Sequence, residues 1–398
     1  MLEGVRCYPD GLIRLTRGTN TYTALVEVKT GTNPLEAQQL ENYLDIAREQ
    51  GFDALITISN ETPAQAGQHP TKVDKKKLKK MALHHYSWSQ VLSEAVMQKE
   101  HHGVADPDQA WILGELIRYL EHPRSGALEF DDMGPSWVPV REGVGAGTVR
   151  ATDKAAIEVA ARFDALLRYV SLRLGRRLGT DVTPALSRRE MADPSLRAQA
   201  VVASLADTGI LKGAIRIPST IGPLTIASDL RAGKTTCYVD VDAPKEGKSL
   251  TRVKWLIRQL SAAPDTVRVE AFVTHSHGAG TTALLRDVRE DPSRLISDPK
   301  RELRSFRIAL TTPLGSKRGR GRGAYIDSML GAVDTFYGDV LQRLKAWSAA
   351  PPRFRDPIEP PEGVPASQTS TAQSSQDGAE PAPVASHAVA QPGPSSEG

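Results

Sequence analysis

The chain opens with a pattern of apolar and polar positions that predicts a β-hairpin. Residues 11–15 (Gly-Leu-Ile-Arg-Leu) and 21–28 (Thr-Tyr-Thr-Ala-Leu-Val-Glu-Val) are rich in β-branched, aromatic and aliphatic side chains. Thr16-Arg17-Gly18-Thr19-Asn20 between them is a turn-forming run. From Pro34 the period lengthens to that of a helix, with Leu35, Leu40, Leu44 and Ala47 on its apolar side and Gly51 as the stop. Residues 53–59 read as a buried strand and 82–88 as another, followed by a helix over 89–100 capped by Ser89. Asp106-Pro107 begins a further helix whose stripe is Trp111, Leu113, Leu116, Ile117 and Leu120. A long amphipathic helix covers 152–178, with Arg162, Arg168, Arg173, Arg176 and Arg177 on its polar side, and a shorter helix covers 195–207. Beyond 210 the pattern is α/β. It shows a hairpin of 224–230 and 235–241, a helix over 250–262, a strand over 266–274 and a last helix over 325–347. The expected class is therefore α/β.

The first hairpin also carries chemistry. If the reversal centres between Gly18 and Thr19, cross-strand pairs sum to 37 and Asp10 lies opposite Glu27. Opposed Cβ atoms are ~5 Å apart. Two carboxylates that close repel unless a cation sits between them. Side chains alternate along a strand, so Glu27 and Lys29 share a face while Val28 points away. Mg²⁺ prefers one or two carboxylates completed by waters and phosphate oxygens. Lys29 beside it suits orienting a water or stabilising charge on a phosphate. The bland reading is a Pro-Asp-Gly turn beside a solvated strand face.

Pro9-Asp10…Glu27-Val28-Lys29 resembles the signature of the PD-(D/E)XK nuclease superfamily, the restriction-endonuclease-like fold. Gln39 and Tyr43, one helical turn apart, resemble the glutamine-x-x-x-tyrosine element of its exonuclease-type branch. The order hairpin, helix, strand is similar to the superfamily core, and the resemblance covers residues 5–100. It implies a restriction-endonuclease-like mixed sheet at the N-terminus and Mg²⁺-dependent hydrolysis of DNA, with Mn²⁺ able to substitute. It further implies Asp10, Glu27, Lys29, Gln39 and Tyr43 as catalytic residues, with the metal held by Asp10, Glu27 and the Val28 carbonyl. One feature departs from the pattern. The family core opens with a helix, and only nine residues precede Asp10. The expectations are a start site placed too late, or a shortened domain with an exposed flank. The second function class is accordingly a catalytically inactive nuclease-like scaffold that binds nucleic acid or protein.

Composition adjusts this picture modestly. Of a net charge of +3, residues from Ala350 onward contribute −4, leaving +7 for the rest. A basic body suits a polyanion such as DNA. Lysines 72, 75, 76, 77, 79 and 80 are expected beside the site, to neutralise phosphates. The most basic window is 300–323, where Lys317-Arg-Gly-Arg-Gly-Arg-Gly is expected to be flexible and to grip a phosphate backbone. Gly233-Lys234-Thr235-Thr236 is not a phosphate loop, because Ser228 stands where the motif needs glycine and β-rich sequence follows. His84-His85 would point to opposite faces of a strand, whereas His275 and His277 share a face and could ligate a metal with Asp240 or Asp242. Cys7 and Cys237 are isolated and build neither a disulfide framework nor a zinc site.

No run of about eighteen apolar residues predicts a membrane span. The N-terminus shows no basic-then-apolar leader pattern, so a cytoplasmic location is expected. The organisation expected is a nuclease-like domain over 1–123, a linker over 124–150, helices over 151–209 that could meet a protein partner, a basic α/β domain over 210–348 and a disordered Pro/Ser/Ala-rich tail over 349–398.

Overall fold

The computed structural model describes residues 8–63, 67–127, 130–276 and 278–348. The tail expected to be disordered, Cys7 and His277 lie outside the described residues. The chain is mixed α/β, and among the described residues its strands form two sheets.

The N-terminal sheet comprises β1 (Gly11–Arg17), β2 (Asn20–Val28), β3 (Ala54–Ser59) and β4 (Ala82–Ser87), in that spatial order. It is a mixed sheet: β1 and β2 are antiparallel, while β3 runs parallel to β2 and β4 parallel to β3. A two-residue reversal suffices for the first pair; the parallel pair needs a crossover, supplied by α1 (Ala37–Glu49). The hairpin register is Gly11 opposite Val26, so pairs sum to 37 as the turn chemistry dictates. Leu25 and Leu55 meet Leu40, Leu44 and Ala47 of α1 and Met81 in a small core. β1 is different. Leu12, Ile13 and Leu15 on it are all exposed.

Next come α2 (Trp88–Val96), α3 (Pro107–Glu121), α4 (Trp137–Ala146) and α5 (Lys154–Leu178). The cap of α2 is Ser87, whose hydroxyl accepts from the Gln90 N–H; the expected cap, Ser89, is a first-turn residue. Asp106 caps α3 and Pro107 starts it. Of its apolar stripe only Leu120 is buried, while Trp111 and Leu116 are exposed. Residues 124–150 carry α4, whose Trp137 is fully buried and stacks on Tyr325 at 4.4 Å between ring centroids.

The second sheet follows the order β10-β9-β11-β8-β7-β6-β5 and is antiparallel throughout. Its elements are β5 (Thr183–Pro184), α6 (Arg188–Ala192), α7 (Pro194–Thr208), β6 (Ile210–Arg216), β7 (Leu224–Asp229), β8 (Lys234–Asp242), α8 (Ser249–Gln259), β9 (Arg268–Val273), β10 (Thr281–Leu284), α9 (Leu285–Glu290), β11 (Leu303–Pro313) and α10 (Tyr325–Asp339). Alternate residues of β6, β7 and β8 are buried, which sets one face against helices and leaves the other open. α5, α7 and α10 pack on the covered face, with Phe163, Leu166, Leu211, Val239, Phe306 and Phe336 in the core. α5 also packs against α2, joining the two sheets' surroundings.

Two expectations about basic segments are corrected. The polar side of α5 is not a free arginine face: Arg168 is buried and donates to Gln90 Oε1, while Arg173 and Arg177 pair with Asp334 of α10. Nor is 317–323 a loose cationic loop. Arg318 pairs with Asp132, Arg320 pairs with Asp327, and the Tyr325 N–H donates to the Lys317 carbonyl. Asp334 and Asp132, both distant in sequence, meet the guanidinium groups of Arg173, Arg177 and Arg318, while Asp327 meets Arg320 from seven residues away. The last helix ends at Asp339 rather than near residue 347, because the chain leaves helical dihedrals at Val340. No helix of the described residues is long and apolar enough to cross a membrane.

Candidate functional site

The hairpin register puts Asp10, one residue before β1, level with Glu27 on β2. Asp10 Oδ2 accepts the Val28 N–H at 2.7 Å. A strand residue presents its N–H and C=O to the same edge, so the Val28 carbonyl also faces the Asp10 side. The Lys29 N–H turns the other way, to Ile58 O of β3 at 2.8 Å.

Glu27 is the most constrained group here. It is 2% exposed. Its Oε1 accepts from Lys29 Nζ at 2.7 Å and from Gln39 Nε2 at 2.8 Å. Its Oε2 is buried and has no hydrogen-bond partner among the described residues. A buried carboxylate oxygen left unsatisfied costs about 1–3 kcal/mol or more, so the fold carries an unsatisfied acceptor at this point. Hydrogen bonding to Glu27 raises the Lys29 pKa above its ordinary value; the charges of Glu27 and Asp10 add to this and partial burial opposes it. Lys29 is thus a fixed cation at neutral pH.

Gln39 and Tyr43 of α1 tie the two acid-bearing segments together. Gln39 Nε2 donates to Glu27 Oε1 and to the Tyr43 hydroxyl, the latter at 3.1 Å. The Tyr43 hydroxyl donates in turn to Tyr8 O at 3.0 Å, two residues before Asp10. All five residues singled out in the sequence therefore belong to one connected cluster. The hard oxygen donors present (Asp10, the unpartnered Glu27 Oε2 and the Val28 carbonyl) fit a divalent cation of the Mg²⁺ type.

Beside this cluster lies a second one that the sequence did not reveal. Parallel pairing aligns Glu27 with Thr57 of β3, and Thr57 with His85 of β4. Thr57 Oγ1 lies 2.9 Å from both His69 Nε2 and His85 Nδ1. His85 Nε2 is 2.8 Å from the Glu61 carbonyl, so that nitrogen carries the proton. Nδ1 is then an acceptor facing the Thr57 hydroxyl, which also lies 3.2 Å from the His84 carbonyl; His69 Nδ1 lies 2.9 Å from the Thr71 carbonyl and 3.0 Å from the Thr71 N–H. Burial pushes the His85 pKa down to about 4 and lowers that of His69. Burial also raises the Glu61 carboxyl. Trp88 completes the surroundings, its indole N–H donating to Lys29 O at 2.9 Å. Alternation places Thr57 on the face of Leu55, yet nothing in the local sequence names its lateral neighbours.

The remaining sequence candidates fall elsewhere. As alternation requires, His84 is exposed and His85 buried. Asp240 is bound by Arg307 through two hydrogen bonds, 2.7 and 3.0 Å. Gly233-Lys234 forms a turn leading into β8. The lysine run is corrected in position. It precedes β4, whereas His85, level with Glu27, is near the end of β4. Lys79 and Lys80 lead into the start of β4, the end away from His85. Lys77 is taken by Asp45 of α1 at 2.5 Å.

No protein-family model, no curated protein and no solved structure matches this chain.

Proposed function

We propose that the chain is a metal-dependent nuclease of the PD-(D/E)XK type, built on a restriction-endonuclease-like core and hydrolysing phosphodiester bonds in DNA. The observation that carries this reading is Glu27: buried, held on one oxygen by Lys29 and Gln39, and unpartnered on the other. A carboxylate that served only the scaffold would be expected to have both oxygens satisfied. The order of hairpin, crossover helix and parallel strand supports the same reading.

Asp10, Glu27 and the Val28 carbonyl would hold Mg²⁺, with Mn²⁺ as a substitute. The chemistry such an ion supplies when bound is Lewis-acid activation of water and neutralisation of phosphate charge. The rest belongs to the chain. Lys29 stays protonated and offers a donor to the nucleophile or to a phosphate oxygen as charge builds on it. Gln39 holds the Glu27 carboxylate in one orientation. Tyr43 anchors the strand entry at Tyr8 and so keeps Asp10 in register with Glu27. The exposed lysines of 72–80 offer phosphate contacts along a bound backbone rather than at the scissile bond.

The test is cleavage of linear, circular and single-stranded DNA with Mg²⁺ or Mn²⁺, comparing wild type with Glu27→Ala and Lys29→Ala. Cleavage that requires the ion and disappears in both variants supports the reading. Cleavage that survives both removes these residues from the mechanism. DNA binding without cleavage under every condition would favour the catalytically inactive scaffold.

A further inference from the structure

A cleft of ≈ 560 Å³ opens on the uncovered side of the second sheet, apart from the hairpin cluster. One wall is strand surface: Phe272 of β9, Arg307 of β11, Asp242 of β8, and Arg304 at the β11 irregularity. The other wall includes Lys245, after β8, and Trp347, beyond α10. Its size suits a small organic ligand.

Its lining is chemically specific. Arg307 is clamped by Asp240, and its guanidinium lies over the Tyr238 ring at 4.5 Å and the Phe272 ring at 5.6 Å. This presents a flat, rigid cationic and aromatic platform. Arg304 and Lys245 have no ion pair among the described residues, and neither has Asp242. Two available cations on a concave surface call for an anion. Two aromatic side chains in the same cleft call for a flat ring, which an inorganic anion does not have. The adjacent carboxylate calls for N–H or O–H donors on that ligand.

A ligand with a ring, a phosphate and donor groups satisfies all three demands. We propose that this cleft binds a nucleotide, its base stacked on Phe272 and Trp347 and its phosphate met by Arg304 and Lys245. Asp242 accepts from the sugar hydroxyl or a base amino group. The nucleotide is either free or one unit of a single strand; its recognition chemistry is the same in both cases. The inference does not rest on the nuclease reading, since the two sites share no residue.

Titration calorimetry on the full chain tests it with four probes: AMP, GMP, single-stranded oligodeoxyadenylate and inorganic phosphate. Saturable binding of a nucleotide or the oligonucleotide is expected. Phe272→Ala and Trp347→Ala should each weaken it about tenfold or more. Arg304→Glu, an exposed position that leaves the core intact, should weaken it comparably and covers the case in which an aromatic variant fails to fold. Circular-dichroism melting identifies such a failure. Binding of AMP or GMP identifies a free nucleotide, and binding of the oligonucleotide alone identifies a strand. The proposal is overturned if neither binds, if the substitutions leave binding unchanged, or if inorganic phosphate competes as well as the nucleotides do.

Discussion

The two sheets treat charge in opposite ways. The N-terminal sheet buries Glu27 beside Lys29 and leaves one carboxylate oxygen with no partner among the described residues. The second sheet keeps its charged side chains on the open face, where Arg307 and Asp240 satisfy each other through two hydrogen bonds in water. Burying an ion pair costs desolvation that its attraction only partly returns, whereas an exposed pair costs little and contributes little. A fold does not keep the expensive arrangement for stability alone. The contrast therefore separates a corner suited to chemistry from a surface suited to contact.

The largest expected effect lies at the first of these. Lys29→Ala should lower ion-dependent DNA cleavage by about three orders of magnitude, or ~4 kcal/mol of barrier. Glu27→Gln should do the same in the cleavage assay while changing the thermal midpoint little, because the amide keeps an acceptor for Gln39 and removes a buried charge. A large fall in the midpoint with unchanged cleavage would make Glu27 a structural residue.

Next in size is the core of the second sheet. Trp137→Ala removes a fully buried ring stacked on Tyr325. It should cost about 3–4 kcal/mol in urea unfolding. A loss below ~1 kcal/mol would mean that α4 is peripheral to the second core.

The histidine cluster adds a pH signature. His85 has a folded pKa near 4, below the ordinary value of about 6.5. The unfolded chain therefore binds the proton more readily, and stability is full above pH ~6.5 and falls as pH drops toward 4, by up to about 3 kcal/mol. His85→Gln should flatten that slope in denaturation measured at several pH values. An unchanged slope would show that the burial of this ring does not control it.

The smallest effect belongs to the open face. A double-mutant cycle on Arg307 and Asp240 should return a coupling below about 1 kcal/mol, and the same substitutions should not alter DNA cleavage. Strong coupling would mean that the face is covered in solution.

Much of the N-terminal part was legible because its signals are local. Turn residues at 16–20 set the hairpin register, and the register alone aligns Asp10 with Glu27. A helical turn separates Gln39 from Tyr43, which suffices to predict a shared face. Burial was less legible where it depends on what lies opposite. The α3 stripe at Trp111 and Leu116 looks like core by periodicity yet is exposed, because no element of the described residues covers it.

What the amino-acid order determined by itself is therefore the set of elements, the hairpin pairing and the residues that α1 presents to it. Each depends on dihedral preferences and side-chain periods that act over a few residues. Only the tertiary structure decided that Arg318 is neutralised by Asp132, that the lysine run leads into the far end of β4, and that Thr57, level with Glu27, meets two neutral histidines. Those outcomes depend on which strands lie side by side and which charges meet across long stretches of chain. Short-range preferences carry no information about either.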